Sequence, residues 1–220
     1  MIGYRIIKTP LGEVLLEKMD GKICFCHFAL PSLEAALQRV AADFPGEEIV
    51  CREEQPDVQG AGTLEQLLQG RHTFFRWEDF HIKGTSLQMA VWREIFNLLP
   101  CELISYSALA VRCGYPRAVR AVATAVGKNP ISLIIPCHRV LRREAFPKGC
   151  AEAGSICKDY KEPECVRVES VPEESGKKEC GTDGGAEMKR NDCLIDKEKL
   201  GNYEWGKELK RRILEWEGLI

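Results

Sequence analysis

The chain has 220 residues, of which 45% are hydrophobic, and a formal net charge of −2. These values fit a globular protein of one or two domains, and they exclude collagen-like, repeat and membrane-spanning classes because no run approaches the roughly 18 apolar residues of a span. The N-terminus lacks the features of a signal peptide, so we expect a cytoplasmic protein, or a nuclear one in a eukaryote. Its eleven cysteines are then better explained as thiols than as disulfides.

The first 83 residues predict a small α+β domain. Alternating segments at 4–8, 13–17 and 23–28 are separated by turn residues, which indicates a hairpin or meander. A helix is predicted from about Ser32, a suitable N-cap, to Phe44. A second, short helix is predicted near residues 64–68, followed by a strand-like segment at 80–82.

From residue 84 onward the pattern is helical. Residues 85–86 can cap a helix that stops at Pro100, and a shorter helix is predicted over 108–113. The next helix is predicted to begin with Pro116 and to end at Gly127. Two short helices joined by a tight, glycine-containing turn are typical of a helix-turn-helix.

Charge and composition indicate that the second of these helices contacts DNA. Residues 84–143 contain eight Arg or Lys against two acidic residues, a local charge of +6, which indicates a surface that faces a polyanion. The helix itself is nearly all small or apolar apart from Arg117 and Arg120, which suits contact with DNA of any sequence. A solvated charged face and a buried Ala/Val helix are the alternatives.

Residues 144–200 break the pattern. Charged residues and glycines dominate there without periodicity, which predicts a disordered or loosely ordered insertion. Its five cysteines contain no CxxC pair, so a zinc site is only weakly supported. The chain then ends in a predicted helix over 206–218.

A cysteine and a histidine follow the apolar run 131–135, which predicts a buried strand. Pro136 fixes φ and removes an N–H donor, so the strand should stop there and leave Cys137 at the mouth of the fold. Such a cysteine is either an inert core residue or a nucleophile. The adjacent His138 favours a nucleophile.

With these motifs in their order, the chain resembles the O6-alkylguanine-DNA alkyltransferases, also called methylated-DNA–protein-cysteine methyltransferases. The resemblance covers 84–143 and 200–220 closely and the N-terminal part loosely, through residues 9–12. The matching motifs are Gly84-Thr85, Gln88, Val91-Trp92, Ile104-Ser105-Tyr106, Leu109-Ala110, Arg117 to Val122, Gly127 to Pro130, Ile135 to Val140, Tyr203 to Gly206 and Glu217-Gly218.

The resemblance implies an α+β fold in two parts. Residues 1–83 would form a small α/β, ribonuclease H-like domain, and residues 84–220 a helical, winged-helix-like catalytic domain interrupted at about 144–200. The implied activity is DNA repair by irreversible, single-turnover transfer of an alkyl group from O6-alkylguanine, and from O4-alkylthymine, after base flipping. The implied partner is double-stranded DNA with little sequence preference. A monomer is expected, with no cofactor, no metal and no membrane.

The resemblance also implies a role for each catalytic residue. Cys137 accepts the alkyl group, His138 removes its proton through a water, and Glu217 orients His138. Asn129 shapes the turn that holds the cysteine, and Tyr106 rotates a 3′ phosphate and protonates the departing guanine. These roles agree with the chemistry, because an alkyl ether is a poor electrophile and demands a thiolate.

Further residues are implied to contact DNA and substrate. Arg120 would enter the duplex where the flipped base had been. The implied DNA-binding residues are Tyr106, Arg117, Arg120, Ala121 and Lys128. The implied substrate-pocket residues are Val126, Pro136, Val140 and Tyr203.

Some positions depart from the family pattern. Leu87 stands where the family usually has Phe, and Cys101 where it usually has Gly. About 60 residues separate the Pro-Cys-His-Arg-Val motif from Tyr203, where the family has a short loop. Long insertions are tolerated because loop closure costs little per added residue.

Other functions and sites are weaker alternatives. A non-catalytic, lesion-binding relative would lack the acceptor cysteine that this chain has. A regulatory DNA-binding protein would need a methyl-sensing module, which residues 1–83 do not resemble. A cysteine hydrolase would need an oxyanion site. Zinc at Cys24, Cys26, His27 and His81 is disfavoured because strand alternation separates His27 from the two cysteines.

Overall fold

The structure is a computed structural model that describes residues 1–52, 75–99, 102–147 and 195–220 and the backbone of 155–157. The chain opens with a four-stranded sheet. The strands are β1 (Ile2–Thr9), β2 (Gly12–Met19), β3 (Lys22–Phe28) and β4 (Ile49–Cys51). They lie in the order β3-β2-β1-β4, with β4 parallel to β1 and the other pairs antiparallel. The predicted meander is confirmed.

The turn between β2 and β3 follows from its sequence. Asp20 and Gly21 have φ angles of 51° and 78°. A two-residue hairpin of this kind needs two residues with positive φ, and Asp-Gly is one of the pairs that adopt them most readily.

One helix covers a face of this sheet. α1 (Leu33–Asp43) begins at Ser32, whose hydroxyl accepts a hydrogen bond of 3.2 Å from the backbone N–H of Ala35. The predicted helix and its N-cap are therefore confirmed. The predicted helix near 64–68 lies outside the described residues, and segment 80–82 forms a single bridge, from Phe80 to Ile23, instead of a strand.

The described residues after 84 contain four further helices. α2 (Ser86–Phe96) begins with a capping box, in which Thr85 and Gln88 each accept a hydrogen bond from the other's backbone N–H. The other helices are α3 (Tyr106–Arg112), α4 (Val119–Gly127) and α5 (Lys207–Trp216). A second sheet has the order β6-β5-β7, made of β5 (Glu102–Ser105), β6 (Val140–Leu141) and β7 (Ser155–Cys157).

Two sequence-based expectations about these elements are wrong. Pro116 does not begin α4, because the N–H of Ala118 bonds back to the carbonyl of Tyr115 at 2.9 Å and closes a turn that precedes the helix. The apolar run 131–135 is not a strand. It makes one bridge, at Ile131, and then folds into a turn in which Leu133 has a φ of 70°.

Ordered structure extends into the predicted insertion from both ends. Ala145 and Phe146 are buried with Ile195 and Leu200 in one cluster, and β7 pairs antiparallel with β5. The four cluster residues are apolar, and β7 forms backbone pairs with β5. The average composition of 144–200 did not reveal these local features. The predicted disorder of 158–194 lies outside the described residues.

The N-terminal sheet and the helices share one core. Alternation along β2 sends Leu15 toward α1, whereas Val14 and Leu16 join a cluster with Val91 and Val122 of the helices. The face of the sheet opposite α1 therefore packs on the helical part. Within the described residues, no helix is both long and apolar enough to cross a bilayer.

Candidate active site

The buried side chain of Asn129 organises the turn before Cys137. Its Oδ1 accepts a hydrogen bond of 3.0 Å from the N–H of Ile131, and its Nδ2 donates one of 2.8 Å to the carbonyl of Ile135. A second, longer bond of 3.4 Å runs from Nδ2 to the carbonyl of Ile131. One amide thus satisfies backbone groups at both ends of a buried turn, which would otherwise be costly.

Cys137 begins a short 3₁₀ turn, Cys137–Arg139, directly after this segment and is 6% exposed. Its Sγ lies 4.0 Å from the hydroxyl of Ser132. Burial raises the pKa of the Cys137 thiol, while Asn129, Ser132 and the charge of Lys210 oppose the rise. The resting thiol is therefore protonated, and the groups around it favour the thiolate once the proton leaves.

His138 and Glu217 meet behind the cysteine. His138 is fully buried, and its Nε2 lies 3.1 Å from Oε1 of Glu217 at a poor hydrogen-bond angle, so neither ring nitrogen has a well-aligned partner. Arg139 clamps the same carboxylate with bonds of 2.8 and 3.0 Å. Burial raises the pKa of Glu217, but His138 and Arg139 outweigh it and hold the value at about 2. A permanent negative charge thus faces the histidine.

A lysine that the sequence analysis missed completes this cluster. Lys210 on α5 has no exposed surface, and its Nζ donates a hydrogen bond of 2.7 Å to the carbonyl of Val140. Burial lowers the pKa of Lys210 to about 7, and the negative charge of the Cys137 thiolate opposes that change. Its spacing of three and four residues from Ile213 and Leu214, both buried, was the available signal that it faces inward.

A cavity of about 560 Å³ opens above the cysteine. Predicted residues that line it are Tyr106, Arg120, Val126, Asn129, Cys137 and Tyr203. Lining residues that were not predicted are Val119, Ala123, Thr124, Gly127, Ser132, Arg142, Asn202, Glu204 and Trp205. Burial raises the pKa of Tyr106 to about 12, so its phenol is a hydrogen-bond donor at neutral pH.

The remaining predicted residues lie away from the cavity lining. Pro136 and Val140 are buried on either side of the 3₁₀ turn. Arg117, Ala121 and Lys128 are exposed on or beside α4.

Helix α4 has one buried and one exposed face. Val122 and Ala125 are buried, and the carbonyl of Ala125 accepts a hydrogen bond of 2.8 Å from the indole of Trp92. Arg120 lies on the exposed side and reaches the cavity. The helix is therefore neither wholly buried nor wholly solvated, and it presents small side chains and a cation at one surface.

The described residues offer no metal site: they contain no cluster of three or more His, Cys, Asp or Glu. Cys24 and Cys26 are both buried, but they lie in different clusters, because Cys24 and the next residue, Phe25, are both in the cluster under α1. Cys26 belongs to the large shared core and Cys24 to the cluster under α1, so the prediction that they share a strand face is wrong. The pairing register shifts at this point, because Glu17 and Lys18 of β2 pair with Phe25 and Ile23, which leaves Cys24 as an extra residue in β3.

Comparison with known proteins gives one family. Residues 86–162 match the family model described as 6-O-methylguanine DNA methyltransferase, DNA binding domain. A probable methylated-DNA–protein-cysteine methyltransferase of Acanthamoeba polyphaga mimivirus is 44% identical over 87 residues, which is 40% of this chain and 58% of that protein. The chain thus spans less than two thirds of this relative.

Two further matches cover more of the chain. A methylated-DNA–protein-cysteine methyltransferase of Methanosarcina barkeri is 32% identical over 157 residues, or 70% of this chain and 90% of that protein. A crystal structure of Mycobacterium tuberculosis OGT in complex with DNA is 26% identical, with a TM-score of 0.52, and the match covers 64% of this chain and 78% of that one.

Proposed function

The chain belongs to the methylated-DNA–protein-cysteine methyltransferase family, and we propose that it repairs DNA by transferring the alkyl group of O6-alkylguanine, and of O4-alkylthymine, to Cys137. The observation that carries this proposal is the buried thiol at the floor of a 560 Å³ cavity, with a His–Glu pair behind it and an arginine at its rim. No other described cysteine lines that cavity.

The transfer is a single displacement. His138 takes the thiol proton through a bridging water, and the negative charge of Glu217, 3.1 Å from its ring, stabilises the resulting imidazolium. The thiolate then attacks the alkyl carbon, a C–S bond forms, and the C–O bond breaks with its electron pair going to guanine. Overall, a thiol and an alkoxy group become a thioether and a guanine that carries the proton.

The leaving base needs a donor as negative charge develops on it. Tyr106 lines the cavity with a phenol that stays protonated at neutral pH, and we assign it this role. Lys210 contributes a positive charge near the thiolate from below. Tyr203 and Val126 form apolar walls for the alkyl group. No cofactor enters this scheme.

The target atom lies within the duplex, so the base must leave the stack at a cost of a few kcal/mol. Arg120, exposed on α4 and also at the cavity rim, would fill the gap that the base leaves. Arg117, Lys128 and Ala121 would lie against the phosphate backbone and the groove floor, which predicts binding of double-stranded DNA with little sequence preference.

We also propose a two-part architecture for the chain. The sheet with α1 corresponds to a ribonuclease H-like N-terminal domain, and the α2–α4 helices with the β6-β5-β7 sheet to a winged-helix-like catalytic domain beginning near residue 84. The two share a core, which supports a monomer acting as one body. We propose a cytoplasmic location, or a nuclear one in a eukaryote.

A titration tests the proposed function. Duplex DNA containing O6-methylguanine is added to a fixed amount of protein, and repaired base and protein mass are measured together. We expect one methyl group per protein molecule, on the peptide that contains Cys137, because a thioether has no good leaving group at neutral pH. Cys137→Ala should bind the duplex and transfer nothing. Product well beyond one equivalent, or methyl on another cysteine, would reject the proposal.

A further inference from the structure

The turn that precedes the acceptor cysteine is attached to the edge of the N-terminal sheet. At the end of β3, the N–H of Cys26 donates to the carbonyl of Pro130 at 2.9 Å, and its carbonyl accepts from the N–H of Ser132 at 2.7 Å. Cys26 and Ile131 thereby form a parallel bridge. These two main-chain bonds attach the turn to β3.

The next residue of β3 adds a side-chain contact to the same turn. Nε2 of His27 lies 2.9 Å from the carbonyl oxygen of Asn129, the residue whose amide organises the turn. A carbonyl can only accept, so Nε2 carries the hydrogen. Nδ1 is buried without a partner, and burial lowers the pKa of His27 to about 4 despite the Asn129 carbonyl. The ring is therefore neutral at physiological pH and in a single tautomer.

The same ring supports the wall of the cavity. The centroids of His27 and Trp205 are 4.8 Å apart at an interplanar angle of 74°, and Trp205 in turn lies 5.2 Å from Tyr203 at 66°. Both distances fall in the range of favourable edge-to-face pairs. Trp205 and Tyr203 line the cavity, whereas His27 does not. One side chain of the N-terminal sheet thus contacts both the turn that carries the acceptor and the wall that faces the alkyl group.

From these contacts we propose that His27 is a positioning residue for alkyl transfer, which fixes the acceptor turn relative to the Trp205–Tyr203 wall. This inference rests on the proposed function of Cys137. His27 touches neither the thiol nor the substrate cavity, so it acts through Asn129 and Trp205. Attack on an alkyl carbon is sensitive to alignment, and a misplacement of about 1 Å can cost on the order of a hundredfold in rate.

The experiment compares three variants of the full chain. His27→Ala removes both contacts, and His27→Gln keeps an N–H donor at the distance of Nε2 while losing the ring. His81→Ala is the matched control, because His81 borders the same strand through its N–H bond to Ile23 at 2.8 Å but lies beside the end of β3 remote from the turn. For each protein we would measure the first-order transfer rate at saturating methylated duplex, the dissociation constant for that duplex, and hydrogen exchange of the Ile131 and Ser132 amides without DNA.

We expect His27→Ala to slow transfer by about ten- to a hundredfold with an unchanged dissociation constant, and to speed exchange at both amides. His27→Gln should recover part of the rate and most of the exchange protection, and His81→Ala should match the unaltered protein. A wild-type transfer rate in folded His27→Ala, or equal losses in His27→Ala and His81→Ala, would overturn the positioning role. Two failures can be told apart because hydrogen exchange is measured without substrate. If the unaltered protein transfers no alkyl group, the proposed function fails. If amide exchange in His27→Ala is unchanged, the positioning role of His27 fails, whatever the transfer rate.

Discussion

Lys210 donates a hydrogen bond of 2.7 Å to the carbonyl of Val140 from a side chain that has no exposed surface. This bond ties α5 to the segment that directly follows the Cys137–Arg139 turn. A lysine is rarely buried so completely without a charged partner. The free-energy cost of burying the Lys210 ammonium is offset when Cys137 ionises. The ammonium and the thiolate then attract each other across a medium of low dielectric constant.

We expect Lys210→Met to slow alkyl transfer by about tenfold or more, because the Lys210 charge lowers the pKa of the Cys137 thiol and its loss makes the thiolate harder to form. Methionine fills a similar apolar volume, so the protein should fold. The measurement is the transfer rate as a function of pH, in which the rise in rate should move to higher pH. Lys207→Met, an exposed lysine at the start of α5, is the control. Identical pH profiles for the two variants would contradict this role for Lys210.

Stability should depend on pH through a buried carboxyl group far from this chemistry. Glu17 on β2 has no exposed surface, neither of its oxygens has a hydrogen-bond partner, and burial raises its pKa to about 8. The folded-state pKa lies above the unfolded one, so the protein should lose stability as pH rises from about 4.5 to about 8, by an amount on the order of 4 kcal/mol.

Glu17→Gln tests this dependence, because an amide does not ionise. Its free energy of unfolding, measured by urea titration, should change less between pH 5 and pH 8 than that of the unaltered protein. Glu13→Gln, an exposed glutamate of the same strand, should keep the original dependence. If Glu17→Gln keeps it as well, another group is responsible.

Arg120 should matter for duplex repair and not for bond chemistry. Arg120→Ala should reduce the transfer rate from methylated duplex by about tenfold or more, because the flipped state loses a contact that offsets unstacking. Transfer from free O6-methylguanine base should change little. Arg211→Ala, on α5 and outside the cavity lining, is the control. Equal losses on duplex and free base would contradict the proposed role of Arg120.

The sequence predicted the elements whose signals are local. The meander turn and the Ser32 cap follow from turn and capping preferences, whereas α4 was predicted as a helix but begins three residues after Pro116 and has no side-chain cap. The apolar run before Pro136 was misassigned because a short buried run does not distinguish a strand from a buried turn, and the deciding contact is the side chain of Asn129.

Two parts of the site needed tertiary information. Helical spacing puts Lys210 on the apolar side of α5, but composition predicts solvent exposure for a lysine, and only the carbonyl of Val140 explains its burial. The sequence analysis disfavoured His27 as a zinc ligand, but nothing local in a strand indicates that its ring reaches Asn129 about a hundred residues later.

The segment between Phe146 and Ile195 should divide into a part that supports the fold and a part that does not. β7 pairs with β5 through Leu103 and Ile156, and β5 in turn pairs with β6, which directly follows the acceptor motif. Replacing 158–194 with a flexible linker keeps β7. We expect that variant to retain its melting temperature and its transfer rate, because every residue proposed to act in transfer lies outside the deletion.

Replacing 148–194 also removes β7 and leaves one edge of β5 without its backbone partners. We expect this larger deletion to lower the melting temperature and to slow transfer, because β5 leads directly into Tyr106 at the cavity. Differential scanning calorimetry and single-turnover transfer on the two deletions decide the matter. The control is a third variant that keeps all residues but carries Ile156→Pro, which removes an N–H donor from β7 and should resemble the larger deletion. If both deletions keep the melting temperature and the transfer rate of the unaltered protein, β7 contributes nothing to the site, and the whole of 148–194 is dispensable.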